Sequence, residues 1–286
     1  MISYEEEVKE RIMYYYCLAL ARNKSCDFEK EVLYFNSDEH YIMYHFLKGY
    51  HYRVLGNFSM AEKSYQNVLR RNPRDMKTRR ELVFIYVSNQ EYEMAIDLAK
   101  ENYKQNKNNI HYMQAYFDCL IYKRNKTEKE MKDLREIVDI VKTIYQSIRV
   151  NSMYYQILAK NEAFVEHNKE LAIKYINEGI SKNKNSIISY LLKERFDIYE
   201  YFKDIEGMED SISQLKQELN KLEIDDVRMN NILVGREALL DAYKGKKRTS
   251  IQMSINQNKY LTDSGKAKIM SNVDKILNGQ NIFYDV

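Results

Sequence analysis

The chain has no tryptophan, a single proline and only eight glycines in 286 residues. Turn-rich sheet architectures need far more of the last two, so the shortage points away from β-sandwiches and barrels. Cysteine is scarce too. Cys17, Cys26 and Cys119 are odd in number and show no CxxC spacing. They read as reduced thiols of a cytosolic protein, not as a disulfide framework or a zinc site. No apolar run approaches the roughly 18 residues of a membrane-spanning helix, and the acidic start MISYEEEVKERIMYYY lacks the basic region of an export signal. Charged residues make up 30% of the chain but nearly cancel to a net +3, too little to argue for nucleic acid or an anionic membrane. Tyrosine is plentiful, at 26 residues, and suits packing with the ring inward and the hydroxyl at a wet edge.

A repeat supplies the organisation. A step of 34 residues carries Ala61 to Ala95, Tyr52 to Tyr86, Phe58 to Tyr92, Gly49 to Val83 and Tyr65 to Ala99. Small, aromatic and apolar positions recur together. Each unit splits into two helical stretches: Tyr41 to Leu55 and Met60 to Arg71, then Met76 to Ser88 and Tyr92 to Gln105. The turn GNF separates the first two, with Ser59 expected as N-cap and Glu62 completing a capping box, and Pro73 forbids continuation of the second. A third unit begins at about Ile110 and needs a nine-residue insertion, its second helix read as Met131 to Ile148. A fourth comprises Ser152 to Val165 and Glu170 to Ile180, with Ala172 at the small position. A fifth, fainter pair is Ile187 to Phe202 and Met208 to Leu222. Tyr4 to Ala21, Phe28 to Phe35, Asp226 to Lys244 and Gly265 to Leu277 lie out of phase, as expected of capping helices. KGKKRTSIQMSINQNKY between the last two reads as loop plus short helix.

In its residue types the 34-residue unit resembles the tetratricopeptide repeat (TPR). Gly49, Tyr52, Ala61, Tyr65 and Pro73 agree with that family's signature, Gly56 stands at its inter-helix turn, and His45 replaces the usual tryptophan. The second unit supplies Leu82, Tyr86, Tyr92 and Ala95, but Lys107 replaces the proline. The resemblance is clearest over Tyr41 to Lys107, weaker to Lys184 and faint beyond, so that it covers about half of the chain well. It implies an all-α, right-handed α-solenoid of 12–14 helices: capping helices over 1–40, about five pairs over 41–222, and capping helices over 223–286. Independently of any family, two helices joined by a short turn must approach closely. Gly49 is therefore expected against Ala61, with Tyr52, Phe58 and Tyr65 wedged between pairs.

Chemistry is hard to find. His40, His45, His51, His111 and His167 make no HExxH or other metal-ligand spacing. GKKRTS lacks the GxxxxGK[ST] of a phosphate loop, and residues 244–248, KGKKR, read as a solvated basic loop. The acidic pairs Glu209–Asp210 and Asp225–Asp226 suit the starts of helices. No catalytic residue, cofactor or metal site is expected. The TPR resemblance instead implies a groove lined by the first helix of each pair. Carried onto this chain, its lining positions are Met43, Phe46, Tyr50 and Arg53, then Lys77, Arg80, Phe84 and Val87, then His111, Gln114, Asp118 and Ile121. Phe46, Tyr50, Arg53, Lys77, Arg80, Phe84, Gln114 and Asp118 are the binding residues this selects. Phe46 and Tyr50 stand where the family's carboxylate clamp has lysine and asparagine, so chaperone-tail binding is not expected. Aromatic anchors beside Arg53, Lys77 and Arg80 suit a protein or peptide with apolar and acidic residues. The same positions could equally face neighbouring helices of the chain itself. The leading reading is a non-enzymatic scaffold or sensor. The alternative is the recognition half of a bacterial signalling or defence system with a separate effector, such as a nuclease, an NTPase or a transcription factor. Single-stranded nucleic acid ranks last, and self-association is left open.

Overall fold

The computed structural model describes residues 4–123, 125–145, 152–184, 186–221, 227–258 and 261–280. These residues form helices throughout, with no strand among them. The chain divides between Asn106 and Lys107 into two compact units. In the first unit α1 (Tyr4–Arg22), α2 (Phe28–Glu31) and a 3-10 turn (Val32–Phe35) precede two helix pairs. The pairs are α3 (Tyr41–Val54) with α4 (Phe58–Arg71) and α5 (Met76–Ser88) with α6 (Tyr92–Gln105). The second unit holds α7 (Ile110–Tyr122), α8 (Glu128–Tyr145), α9 (Ser152–Phe164), α10 (Lys169–Lys182), α11 (Ser186–Tyr201) and α12 (Ile205–Lys221). It closes with α13 (Val227–Tyr243), α14 (Arg248–Gln257) and α15 (Asp263–Leu277). Fifteen α-helices lie among the described residues, one more than the expected range.

Helices pack first on their pair partner and then on the next pair, α4 on α5, α10 on α11 and α12 on α13, which is how an α-solenoid is built. Three of the pairs close through a glycine–tyrosine contact. A Cβ on Gly49 would lie 2.6 Å from the Tyr65 ring of the facing helix, on which Ala61 is also fully buried. Gly179 receives Tyr155 and Gly207 receives Tyr199 in the same way, with glycine and ring exchanged between the two helices. Tyr65 and Tyr155 are fully buried by this packing. Burial of a large side chain contributes roughly 1.5–3 kcal/mol. Phe58 meets Phe84 edge-on across consecutive pairs, with 6.3 Å between ring centroids, as a wedge should.

The turns repeat as well. Gly56 ends α3 with φ +78°, and the Asn57 N–H donates to the Tyr52 carbonyl at 2.8 Å. Gln90 (φ 65°) and Lys203 (φ 54°) occupy the same left-handed position after α5 and α11. There the N–H groups of Glu91 and Asp204 reach the carbonyls of Tyr86 and Tyr199. This is the Schellman closure, which leaves orphan helix carbonyls satisfied and favours glycine at its centre. It also moves the start of α4. Asn57, delivered by Gly56, caps the helix by accepting the Met60 N–H at 3.2 Å. Ser59 therefore lies inside the first turn. Glu62 accepts the Tyr86 hydroxyl at 3.0 Å instead of completing a capping box. A true capping box went unread at α8: Thr127 and Glu130 exchange side-chain and backbone bonds at 2.7 and 3.3 Å, starting the helix before Met131. Glu209 and Asp210 lie past the first turn of α12, which begins at Ile205 and not at Met208. Asp225–Asp226 and the proposed ends at Ile148 and Leu222 lie outside the described residues.

Two substitutions test these devices. Gly49→Ala drives a methyl into the buried Tyr65 ring and lowers stability by about 1–3 kcal/mol. Gln90→Gly relieves a left-handed non-glycine residue and raises stability by up to about 1 kcal/mol. Denaturant unfolding checks both, and a neutral Gly49→Ala contradicts the close approach.

Candidate functional site: a cleft in the first unit

Three helices of the first unit enclose a cleft of about 410 Å³. Its α3 wall presents Ile42, Met43 and Phe46, neighbours on one helical face. Its α1 wall presents Glu7, Glu10, Arg11, Tyr14 and Tyr15, spaced by three and four residues along that helix. The start of α5 forms the third side. Asp75 caps α5 by accepting the Thr78 N–H at 2.6 Å, which presents Lys77 and Thr78 to the cleft. The Lys77 ammonium lies 4.2 Å from the centre of the Phe46 ring and 4.8 Å from that of Tyr14, and it donates to the Tyr14 hydroxyl. Burial lowers the pKa of Lys77 and raises that of the Tyr14 phenol. Glu10 stands 3.5 Å from His40 at the edge. The volume falls in the range of roughly 300–1,000 Å³ usual for ligand pockets. An apolar floor under a rim of mixed charge can take one large apolar side chain and orient what flanks it.

The structure separates the eight expected binding residues into three groups. Phe46 and Lys77 meet in the cleft. Tyr50, Arg53, Arg80 and Phe84 gather instead around Glu81, which neither periodicity nor resemblance had marked. Arg53 pairs with Glu81 at 2.9 Å and lies between the rings of Tyr50 and Phe84, at 4.8 and 4.9 Å. Arg80 reaches the other oxygen of Glu81 at 3.3 Å. Glu81 thus offsets one of the three positive charges expected of this face. Phe84 keeps 41% of its surface exposed, so the cluster still shows an aromatic edge. The residues missed were Ile42, the α1 wall, and Asp75 and Thr78 at the start of α5. Tyr14 and Tyr15 belong to the run MYYY, whose partners lie too far along the chain to be read from spacing.

Gln114 and Asp118 belong to the second unit and face α9. Gln114 donates to Gln156 at 2.6 Å, and Lys160 donates to Asp118 at 3.0 Å. From there a ladder of ion pairs crosses the first helices of successive pairs. Lys160 also meets Glu194 at 3.1 Å; Lys193 meets Glu194 and Asp197; Asp197 meets Arg236 at 2.6 Å. Burial opposes the charges of Lys160, Lys193, Glu194 and Arg236, but their partners prevail: Lys160 is held well above its ordinary range and Glu194 down to about 2, whereas at the end of the ladder burial prevails and raises the pKa of Asp118. Three acids alternate with three bases. Glu200 is a further carboxyl beside them, 2% exposed, with the Tyr243 hydroxyl as its hydrogen-bonding neighbour. Burial, reinforced by Asp197 and opposed by Arg236, pushes it up to about 8.

The basic loop is likewise engaged. Lys244 pairs with Glu209, Lys246 with Asp241 at 2.7 Å and Arg248 with Asp274 at 2.6 Å. The histidines serve packing and local bonds: His51 stacks on Phe28 at 4.0 Å, and His167 shares a 2.6 Å bond with the Tyr201 hydroxyl. No described helix is long and apolar enough to cross a membrane.

Glu200 gives a pH test. Its folded value, about 8, stands above the ordinary 4.5. Stability associated with its protonated form is full below pH 4.5 and is lost as pH rises toward 8, at up to about 1.4 kcal/mol per pH unit. Glu200→Gln removes this loss, so the variant gains stability over wild type at pH 8 and little at pH 5. Thermal melts at both values check it; an equal shift at the two contradicts the burial of a neutral carboxyl.

No protein-family model and no curated protein matches the sequence. Solved structures do match. A thermophilic TPR protein of Thermus thermophilus aligns over 68% of this chain and 99% of its own, with 12% identity and a TM-score of 0.52. A tetratricopeptide repeat protein of Parabacteroides merdae aligns over 92% of this chain and 98% of its own, with 11% identity and a TM-score of 0.56. At these identities the likeness speaks for the fold, and it agrees with the 34-residue phase and the stacked helix pairs: the chain has the α-solenoid fold of the tetratricopeptide repeat proteins.

Proposed function

We propose that the chain is a non-enzymatic scaffold that binds a protein or peptide through its first unit. One observation carries the reading: the cleft between α1, α3 and α5 offers an apolar floor of Ile42, Met43 and Phe46 in a fold whose relatives by structure are repeat proteins. An apolar side chain of the partner is the anchor, in the manner of other groove binders. The rim favours a basic neighbour beside that anchor. Glu7, Glu10 and Asp75 outnumber Arg11 and Lys77 around the opening. Arg53 and Arg80, which would have favoured acidic residues, lie outside the cleft and share the carboxylate of Glu81. An apolar residue next to a lysine or arginine therefore fits better than an acidic segment.

Ile42 is 37% exposed and can be changed without opening the core. A partner is captured from the native host on the tagged chain and purified, and its affinity is measured for wild type, Ile42→Glu and Met253→Glu. A carboxylate in the apolar floor weakens binding at least about tenfold. Met253 lies on α14 and is 69% exposed, so its change leaves affinity as it was. Equal affinity of wild type and Ile42→Glu removes the cleft from the account.

A further inference from the structure

Helix α1 is apolar on two sides. One side is buried: Met13, Cys17 and Ala21 pack with Phe28, Val32, Phe35 and Leu47. The opposite side faces solvent, with Val8 41%, Ile12 62% and Tyr15 58% exposed. An exposed helix in a globular unit ordinarily turns polar residues outward, so this face is out of keeping with its surroundings. Its spacing is specific. Val8, Ile12, Tyr15 and Ala19 follow one another by four, three and four residues, the step of a coiled-coil seam. Glu5 precedes them and Arg22 follows on the same step, and all six positions are exposed. A hollow of about 310 Å³ on this side is lined by α1 residues alone, Val8 and Ile12 among them.

We infer that this seam pairs with the α1 helix of a second copy of the chain, in antiparallel orientation. The register follows from the residues. Antiparallel pairing sets Ile12 against Tyr15 of the second copy, Val8 against Ala19 and Glu5 against Arg22, each contact occurring twice by the two-fold symmetry. Large side chains meet at the centre, a medium one meets a small one beside them, and opposite charges meet at both ends. A parallel arrangement would instead stack Glu5 on Glu5 and Arg22 on Arg22. The antiparallel one also opposes the two helix dipoles, placing the acidic first turn, Glu5 to Glu7, near the basic last turn of its partner. A single helix pair buries less than about 1,200 Å², so the association is weak and concentration-dependent. The seam shares Tyr15 with the cleft wall but not Ile42, so Ile42→Glu and Ile12→Glu test the two surfaces separately.

Sedimentation equilibrium of the full chain tests it, over concentrations from about micromolar to a few hundred micromolar, the range of weak complexes. Wild type is expected to shift from monomer to dimer across that range. Ile12→Glu weakens the dimer at least about tenfold by placing like charges in the seam. Glu5→Arg weakens it as well, and the double variant Glu5→Arg/Arg22→Glu restores it. Circular dichroism melts show whether each variant remains folded, since the seam residues changed are exposed. A wild type that stays monomeric throughout, or an Ile12→Glu variant that dimerises as tightly, overturns the inference. A double variant no tighter than Glu5→Arg alone overturns the antiparallel register.

Discussion

The seating of a tyrosine ring on a glycine of the facing helix governs how closely three of the helix pairs close. Gly49 with Tyr65, Gly179 with Tyr155 and Gly207 with Tyr199 leave no space for even one methyl group. Such contacts transmit position because packed interiors resist deformation. With the spacing inside a pair fixed, and the Schellman turns after α3, α5 and α11 fixing its exit, the first helices are brought side by side with little freedom. What their facing side chains then do is decided by residue type.

The two units answer differently. Between α3 and α5 the first unit places Glu81 under two arginines and leaves Ile42, Met43 and Phe46 to floor a cleft that α1 walls off. The second unit instead lines the first helices of its pairs with alternating charge, from Asp118 through Lys160 and Glu194 to Arg236. Buried ion pairs contribute little net stability, since desolvation offsets most of their attraction, but breaking one partner leaves a costly uncompensated charge. The ladder thus fixes which helix lies beside which more than it adds strength.

Much of this was legible in the sequence. The first helices of both repeats in the first unit begin where expected, Tyr41 and Met76, the second because Pro73 and Asp75 act locally. The caps were less so: Asn57 displaced Ser59 because the left-handed Gly56 sets the chain direction first, and T-x-x-E at Thr127 was passed over. Glu81 could not be found from single positions, for a buried acid is recognisable only with its arginines in place. The ladder did leave a trace. Glu194 stands 34 residues after Lys160, one repeat, so opposite charges on that step were in principle readable. The α1 wall left none, because Tyr14 and Lys77 are 63 residues apart and lie outside any common phase.

The central claim is that partner binding belongs to the first unit, at α1, α3 and the start of α5. Amide hydrogen exchange of the full chain, with and without a purified partner, tests it most directly because it reports every helix at once. The account predicts slowed exchange over residues 4–22, 41–54 and 76–80 on binding, with α9 and α11 unchanged. Protection confined to α9 and α11, with α1 and α3 exchanging as before, would contradict it.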